Sequence, residues 1–143
     1  MYSHEVKERI RYADTDQMGF VYYGNYARFY EIGRVEALRA LGVKYKQMEE
    51  EGIMLPVLEC YSKYIKPAKY DDLITIKTMI KELPSARIFF EYEILSEDGQ
   101  LLNQGKTTLV FMRSDSHRPC KAPEEILKLL EPYFADNYEK EIS

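Results

Sequence analysis

The residues from Asn25 to Leu41 place the tightest constraint on how this chain can fold. Tyr26, Phe29, Tyr30, Gly33, Ala37, Ala40 and Leu41 recur at helical spacing and share a face without a charge. Gly33, Ala37 and Ala40 are small, so a neighbouring element can approach that face closely. Ile32, Val35 and Leu38 fall elsewhere on the wheel, among Arg28, Glu31, Arg34, Glu36 and Arg39. A helix apolar over so much of its circumference is expected to lie mostly buried. Gly42 is well placed to end it. A short polar helix, Lys44 to Glu51, is expected before Gly52.

The cover for that helix must come from the rest of the chain, which reads as strands. In residues 4–12, Val6, Ile10 and Tyr12 fall on one side and Glu5, Lys7, Arg9 and Arg11 on the other, the pattern of a half-buried strand. A strand is expected over 54–66, stopped by Pro67. Ile74, Ile76 and Ile80 alternate with Thr75, Lys77 and Lys81, and Ile88, Phe90, Tyr92 and Ile94 with Phe89, Glu91 and Glu93. Asp98-Gly99 signals a hairpin, and residues 101–113 read as the last strand. An amphipathic helix over Glu124 to Phe134 follows Pro119 and Pro123. One strand, one apolar helix and four consecutive antiparallel strands suggest a curved sheet wrapped around the helix. Residues 107–112, TTLVFM, are apolar on both sides, so one side is expected to meet another subunit. No repeat or linker divides the chain, and a single domain over residues 1–143 is the expectation.

Bulk properties narrow the function. The net charge is −4 and the pI about 5.3, which argues against nucleic acid as a partner. No apolar run approaches the roughly 18 residues of a membrane span. The N-terminal MYSHEVKERI is charged throughout, without the apolar stretch of a signal peptide, so the expected compartment is the cytoplasm. Cys60 and Cys120 are far apart and no Cys-His cluster is present, so no metal site and no cofactor are expected. The only histidines are His4 and His117. No G-x-S-x-G elbow, G-x-G-x-x-G loop or phosphate-binding G-x-x-x-x-G-K occurs.

What remains is the stretch 11–26, RYADTDQMGFVYYGNY. It holds two carboxylates, Asp14 and Asp16, followed within ten residues by a helix start near Tyr23 to Tyr26. Such a pair can cap turns while the tyrosines pack a core. It can also be chemical machinery. A carboxylate serves as general base or nucleophile, and a helix start offers free N–H groups and a favourable dipole to an oxyanion. Gly24 would let a ligand approach the backbone. Asn25 reads equally as an N-cap or a substrate contact.

D-T-D-Q-M-G-F-V-Y-Y-G-N-Y leading into a helix resembles the signature of the 4-hydroxybenzoyl-CoA thioesterase family of hotdog-fold acyl-CoA thioesterases. The order and length of the elements agree with that family over nearly the whole chain except the terminal helix. The resemblance implies an α+β hotdog fold, an antiparallel five-stranded sheet wrapped around one long central helix. It implies hydrolysis of an acyl-CoA thioester to free acid and coenzyme A. The catalytic carboxylate then falls on Asp16 and the backbone oxyanion donor on Tyr23. Gly19, Val21 and Asn25 of the motif join Glu31, Arg87 and Arg113 as substrate-binding candidates. Glu31 has Arg28 and Arg34 three residues to either side as possible ion-pair partners. Arg87 and Arg113, with Lys63, Lys66, Arg118 and Lys121, are candidates for the coenzyme's phosphates. A homodimer or dimer of dimers with interfacial active sites is implied as well. Dehydratases of the wider fold use a histidine, and none lies near this motif. Hydrolysis of acyl carrier protein thioesters and non-catalytic acyl binding are the competing readings.

Overall fold

The structure, a computed structural model, describes residues 1–135; residues 136–143 lie outside the described part. In β1 (Tyr2–Arg9) the odd-numbered residues are exposed while Tyr2 is buried and His4, Val6 and Glu8 are half-buried. The alternation ends there. Ile10 is buried, but Tyr12 enters a short 3-10 turn, Tyr12–Asp14, and is 80% exposed rather than sharing a buried side with Ile10.

Helix α1 spans Asn25–Leu41, as the apolar period requires, and Gly42 closes it in the left-handed region at φ 109°. Tyr26, Phe29, Tyr30, Gly33, Ala37, Leu38 and Leu41 are its buried residues; Ala40 is exposed, and Leu38 takes the buried place instead. After α2 (Tyr45–Glu50) come β2 (Ile53–Met54), β3 (Val57–Tyr64), β4 (Leu73–Ile80), β5 (Arg87–Leu95) and β6 (Leu101–Val110). The strand expected over 101–113 breaks at Phe111, and β7 (Met112–Arg113) leaves the main sheet to pair with β2. The described part ends in α3 (Glu124–Leu130) and a 3-10 turn over Glu131–Tyr133.

The main sheet has five antiparallel strands in the order β1-β4-β5-β6-β3. The four later strands are therefore not one meander. Only β4, β5 and β6 follow one another; β3 lies at the far edge beside β6, and β4 pairs with β1. The segment between β3 and β4 is no hairpin turn. Pro67 interrupts it, and its residues bond to the first part of the chain: Val21 N–H donates to Ala68 O at 2.9 Å and Ile10 N–H to Asp72 O at 2.8 Å.

The core lies between α1 and one face of the sheet. Ile74, Ile76, Ile80, Ile88, Phe90 and Ile94 are fully buried there, each contributing about 1.5–3 kcal/mol. Two glycines permit the close approach. A Cβ on Gly33 would stand 2.5 Å from Thr78 Oγ1 and 2.7 Å from Ile76 Cγ2, and one on Gly105 would enter the Tyr30 ring. Tyr30 stacks on Tyr92 at 4.5 Å, and its hydroxyl bonds to Ser62 at 2.7 Å and to Asn103. That hydroxyl network ties β3 to α1. Apart from Ser62, which is half-buried, every residue of β3 is exposed. Residues 107–111, by contrast, are buried within the chain, so this stretch offers no second apolar side to another subunit.

Candidate active site

The segment before α1 folds into a tight turn around its two aspartates. Asp14 is buried, and each carboxylate oxygen is engaged: Oδ2 accepts the Arg11 N–H at 2.8 Å, and Oδ1 accepts the Arg28 guanidinium at 2.5 Å. Its main-chain oxygen accepts Tyr22 N–H at 2.9 Å and Asn25 Nδ2 at 2.8 Å. Asp14 thus fastens the turn to the first turns of α1. Asn25 is the first helical residue rather than the N-cap; Gly24 holds that position, without a side-chain cap. Arg28, a possible partner for Glu31 by spacing, pairs with Asp14 instead.

Asp16 is different. Its Oδ1 accepts Met18 N–H at 2.9 Å and Phe20 N–H at 3.3 Å. Its main chain closes the same loop, through Asp16 N–H to Phe20 O at 2.8 Å and Gly19 N–H to Asp16 O at 3.0 Å. Gly19 takes the left-handed conformation, φ 79°, that this closure requires. The other oxygen, Oδ2, has no hydrogen-bond partner among the described residues. The side chain is oriented by two amides and keeps a free acceptor.

At the start of α1, Asn25 N–H bonds to Tyr22 O at 2.9 Å and Tyr26 N–H to Tyr23 O at 3.2 Å. The N–H groups of Tyr23 and Gly24 make no hydrogen bond among the described residues. Unpaired donors at a helix start favour a negative oxygen. Gly24 does not open the backbone to a ligand: the Tyr22 ring fills the space where its Cβ would be, 2.8 Å away.

Asp16 and Tyr23 line one cleft of about 330 Å³. Met18, Phe20, Val21 and Tyr26 complete its near wall, and Tyr64, Ile65, Lys66 and Pro67 form the far wall. Tyr64 meets Tyr26 and Tyr23 edge-on, at 5.3 and 6.3 Å between ring centroids. Burial raises the Tyr26 hydroxyl above its ordinary value, so at neutral pH it stays an uncharged wall. Lys66 Nζ donates to Gln100 Oε1 at 2.8 Å. On its other flank Asp16 borders a wider cleft of about 820 Å³, with Thr15, Gln17 and Asn25 inside it and Tyr12, Tyr22 and Tyr70 around it. Gly19 lies on this side.

The structure therefore gathers Asp16, Gly19, Val21, Tyr23 and Asn25 around two adjoining clefts. It does not gather Glu31, Arg87 or Arg113. Glu31 is exposed on α1 and forms no ion pair among the described residues. Arg87 is exposed where β5 begins, and Arg113 faces Asp115 at 3.7 Å. The far wall, 64–67, was not legible as part of a site; its one hint was Lys66, a basic residue at a strand end. A further cavity of about 390 Å³ lies between α2 and α3, lined by Val43, Met48, Ile126 and Leu129 among others, away from both carboxylates.

A five-stranded antiparallel sheet with α1 packed on its face is the α+β hotdog arrangement. A family model described as the thioesterase-like superfamily matches residues 10–130. The acyl-CoA thioester hydrolase YbgC of Escherichia coli is 29% identical over 119 residues, 83% of this chain and 89% of that protein. The DHNA-CoA thioesterase of Staphylococcus aureus superposes with a TM-score of 0.81 at 33% identity, covering 97% of this chain and 88% of the other. An aspartate-to-asparagine mutant of 4-hydroxybenzoyl CoA thioesterase, complexed with 4-hydroxybenzoyl CoA, superposes at 0.82 with 25% identity over 90% and 99% of the two chains. This chain belongs to the thioesterase-like superfamily.

Proposed function

We propose that this protein hydrolyses the thioester bond of an acyl-CoA, releasing the free acid and coenzyme A, at a site built on Asp16 and the start of α1. One observation carries the reading. Asp16, with a free carboxylate oxygen, and Tyr23, with a free N–H at the helix start, line the same apolar cleft. A thioester needs little more, because a thiolate leaves readily. Asp16 either takes a proton from an attacking water or attacks the carbonyl itself. The carbonyl oxygen, negative in the tetrahedral intermediate, lies against the Tyr23 N–H, where the helix dipole favours it. Collapse breaks the carbon–sulfur bond and releases the thiolate; in the base route the proton held by Asp16 returns to sulfur or to solvent, and in the direct route water then hydrolyses the acyl–Asp16 anhydride to the free acid. The apolar walls around Tyr26, Tyr64 and Ile65 hold the acyl group.

The 4-hydroxybenzoyl CoA thioesterase mutant supports this assignment: that protein, with an aspartate replaced by asparagine, holds its 4-hydroxybenzoyl CoA. In the same reading the sheet curves around α1, and two copies meet along β3 as a homodimer or a dimer of dimers. The support is exposure. Val57, Leu58, Tyr61 and Tyr64 are 45–55% exposed on this edge strand, and Ile65 just after it is 47% exposed. The far wall of the acyl cleft then lies beside the subunit boundary.

The test is steady-state hydrolysis across acyl-CoAs of varied length and aromaticity, following the released thiol. Asp16→Asn keeps a carbonyl oxygen to accept the Met18 and Phe20 amides, so the loop is preserved. It removes the charge and the basicity. The expected kcat falls about a hundredfold or more, while KM changes far less. Normal turnover by the variant refutes the carboxylate assignment, and a wild type without thioesterase activity refutes the function.

A further inference from the structure

Asp16 is common to both clefts, and the two are chemically unlike. The smaller is walled by Phe20, Val21, Tyr26, Ile65 and Pro67. The wider holds the polar side chains of Thr15, Gln17 and Asn25. An acyl-CoA is equally two-sided: an apolar acid on one side of the thioester, and on the other a long polar arm ending in an adenine nucleotide. With the carbonyl at Asp16, the acid enters the smaller cleft and the arm leaves through the wider one.

At the rim of the wider cleft stand Tyr12 and Tyr70. Their rings meet edge to face at 5.8 Å and 78°, yet they are 80% and 57% exposed. Neither packs a core. They are held by the backbone beneath them, because the two loops that carry them are bonded to each other: Asp71 N–H to Ile10 O at 3.0 Å, Ile10 N–H to Asp72 O at 2.8 Å, and Arg9 Nη1 to Asp71 O at 2.8 Å. Asp71, next to Tyr70, takes the left-handed region at φ 68°, which an aspartate tolerates in a tight turn. Two exposed rings fixed edge to face on bonded loops, at the open end of a polar trough, offer a flat base the face of one ring and the edge of the other beside it. We infer that Tyr12 and Tyr70 form a stacking platform for the adenine ring of coenzyme A, and so select the coenzyme thioester over carriers that lack a nucleotide.

The inference rests on the thioesterase reading, and its test separates the two. KM and kcat are measured with an acyl-CoA and with the S-acyl pantetheine of the same acid, for wild type, Tyr12→Leu, Tyr70→Leu and Tyr70→Trp. Phe89→Leu, an exposed ring on β5, is the control. Loss of the ring that stacks is expected to raise KM for acyl-CoA about tenfold, as loss of one base–aromatic stack does, and loss of the ring that braces it to raise KM by less. The effect is absent with the pantetheine ester, and Tyr70→Trp retains wild-type KM. Adenosine 3′,5′-bisphosphate is expected to compete with acyl-CoA in the wild type and to compete more weakly in the leucine variants. Equal responses to the two substrates, or no response to either, overturn the platform while leaving the hydrolase intact. A wild type that cleaves neither substrate overturns the hydrolase reading itself.

Discussion

Asp14 and Asp16 are two residues apart, yet their surroundings predict opposite consequences for the same substitution. Asp14→Asn keeps the shape of the side chain but has only one acceptor oxygen. If that oxygen keeps the Arg11 amide, the new NH2 group faces the Arg28 guanidinium, and donor meets donor. The loss is therefore a charge-assisted hydrogen bond, an interaction that contributes about 1.5–3 kcal/mol. The Arg28 side chain is 45% exposed against 10% for Asp14, so solvent supplies part of what is lost. That discount places the destabilisation near the low end, about 1.5 kcal/mol. For a chain of this size the melting temperature should fall by about 3–6 °C. Arg28→Gln breaks the same pair, and the double variant should lose less than the sum of the two. Thermal and urea melts give the stabilities, and steady-state kinetics on the same preparations should find kcat little changed. An Asp14→Asn protein that melts with the wild type refutes the fastening role. One that loses kcat at an unchanged melting temperature, beside a normally active Asp16→Asn, exchanges the roles of the two carboxylates.

Light scattering at micromolar concentration is expected to find at least a dimer, and Leu58→Lys on the exposed β3 edge to shift it towards monomer; a folded, active, monomeric wild type refutes the edge assignment. Gly33→Ala would place a methyl group 2.5 Å from Thr78 Oγ1, and the expected cost in urea melts is about 1–3 kcal/mol, partly restored by Thr78→Ala; an unchanged midpoint shows that α1 can shift freely on the sheet. Burial raises the Tyr45 hydroxyl from an ordinary 10.0 to about 12. A raised folded value favours the native state fully below pH 10, and that contribution is lost as pH climbs towards 12, so Tyr45→Phe should flatten the alkaline limb of a stability–pH curve. An identical alkaline limb in the variant counts against the burial of that hydroxyl.

The parts of the fold that were legible in the sequence are those specified locally. The 3.6-residue period of Tyr26, Phe29, Tyr30, Gly33 and Ala37, closed by Gly42, gave both ends of α1, because a left-handed glycine and an apolar face are written within one segment. The end of β1 was misread because alternation continues through Tyr12 while the backbone does not. What bends it is the Asp14 carboxylate, whose pull on Arg11 has no period. Strand order was misread for a related reason. Alternation tells which face of β4 is apolar, but not which neighbour a strand takes, and the segment 65–72 crosses to residues 10 and 21 instead of turning back. Within the site, Asp16 and Tyr23 were legible because a short motif carries them. Tyr64, Ile65 and Tyr70 reach the clefts only through tertiary structure, from some fifty residues away. Glu31, Arg87 and Arg113 belong to no local motif that fixes their place relative to Asp16, and within one chain they stand apart from the two clefts.

A carboxylate set in the partition between two unlike clefts lets selection act on each side separately. Exchanges at Ile65 or Pro67 reshape one chamber without disturbing the rim tyrosines, and changes at Tyr12 or Tyr70 leave the other chamber as it was. A lineage can in this way drift from one acid to another while keeping the same molecular handle. Relatives should then diverge fastest along 64–67 and hold the loop of Asp16 nearly constant.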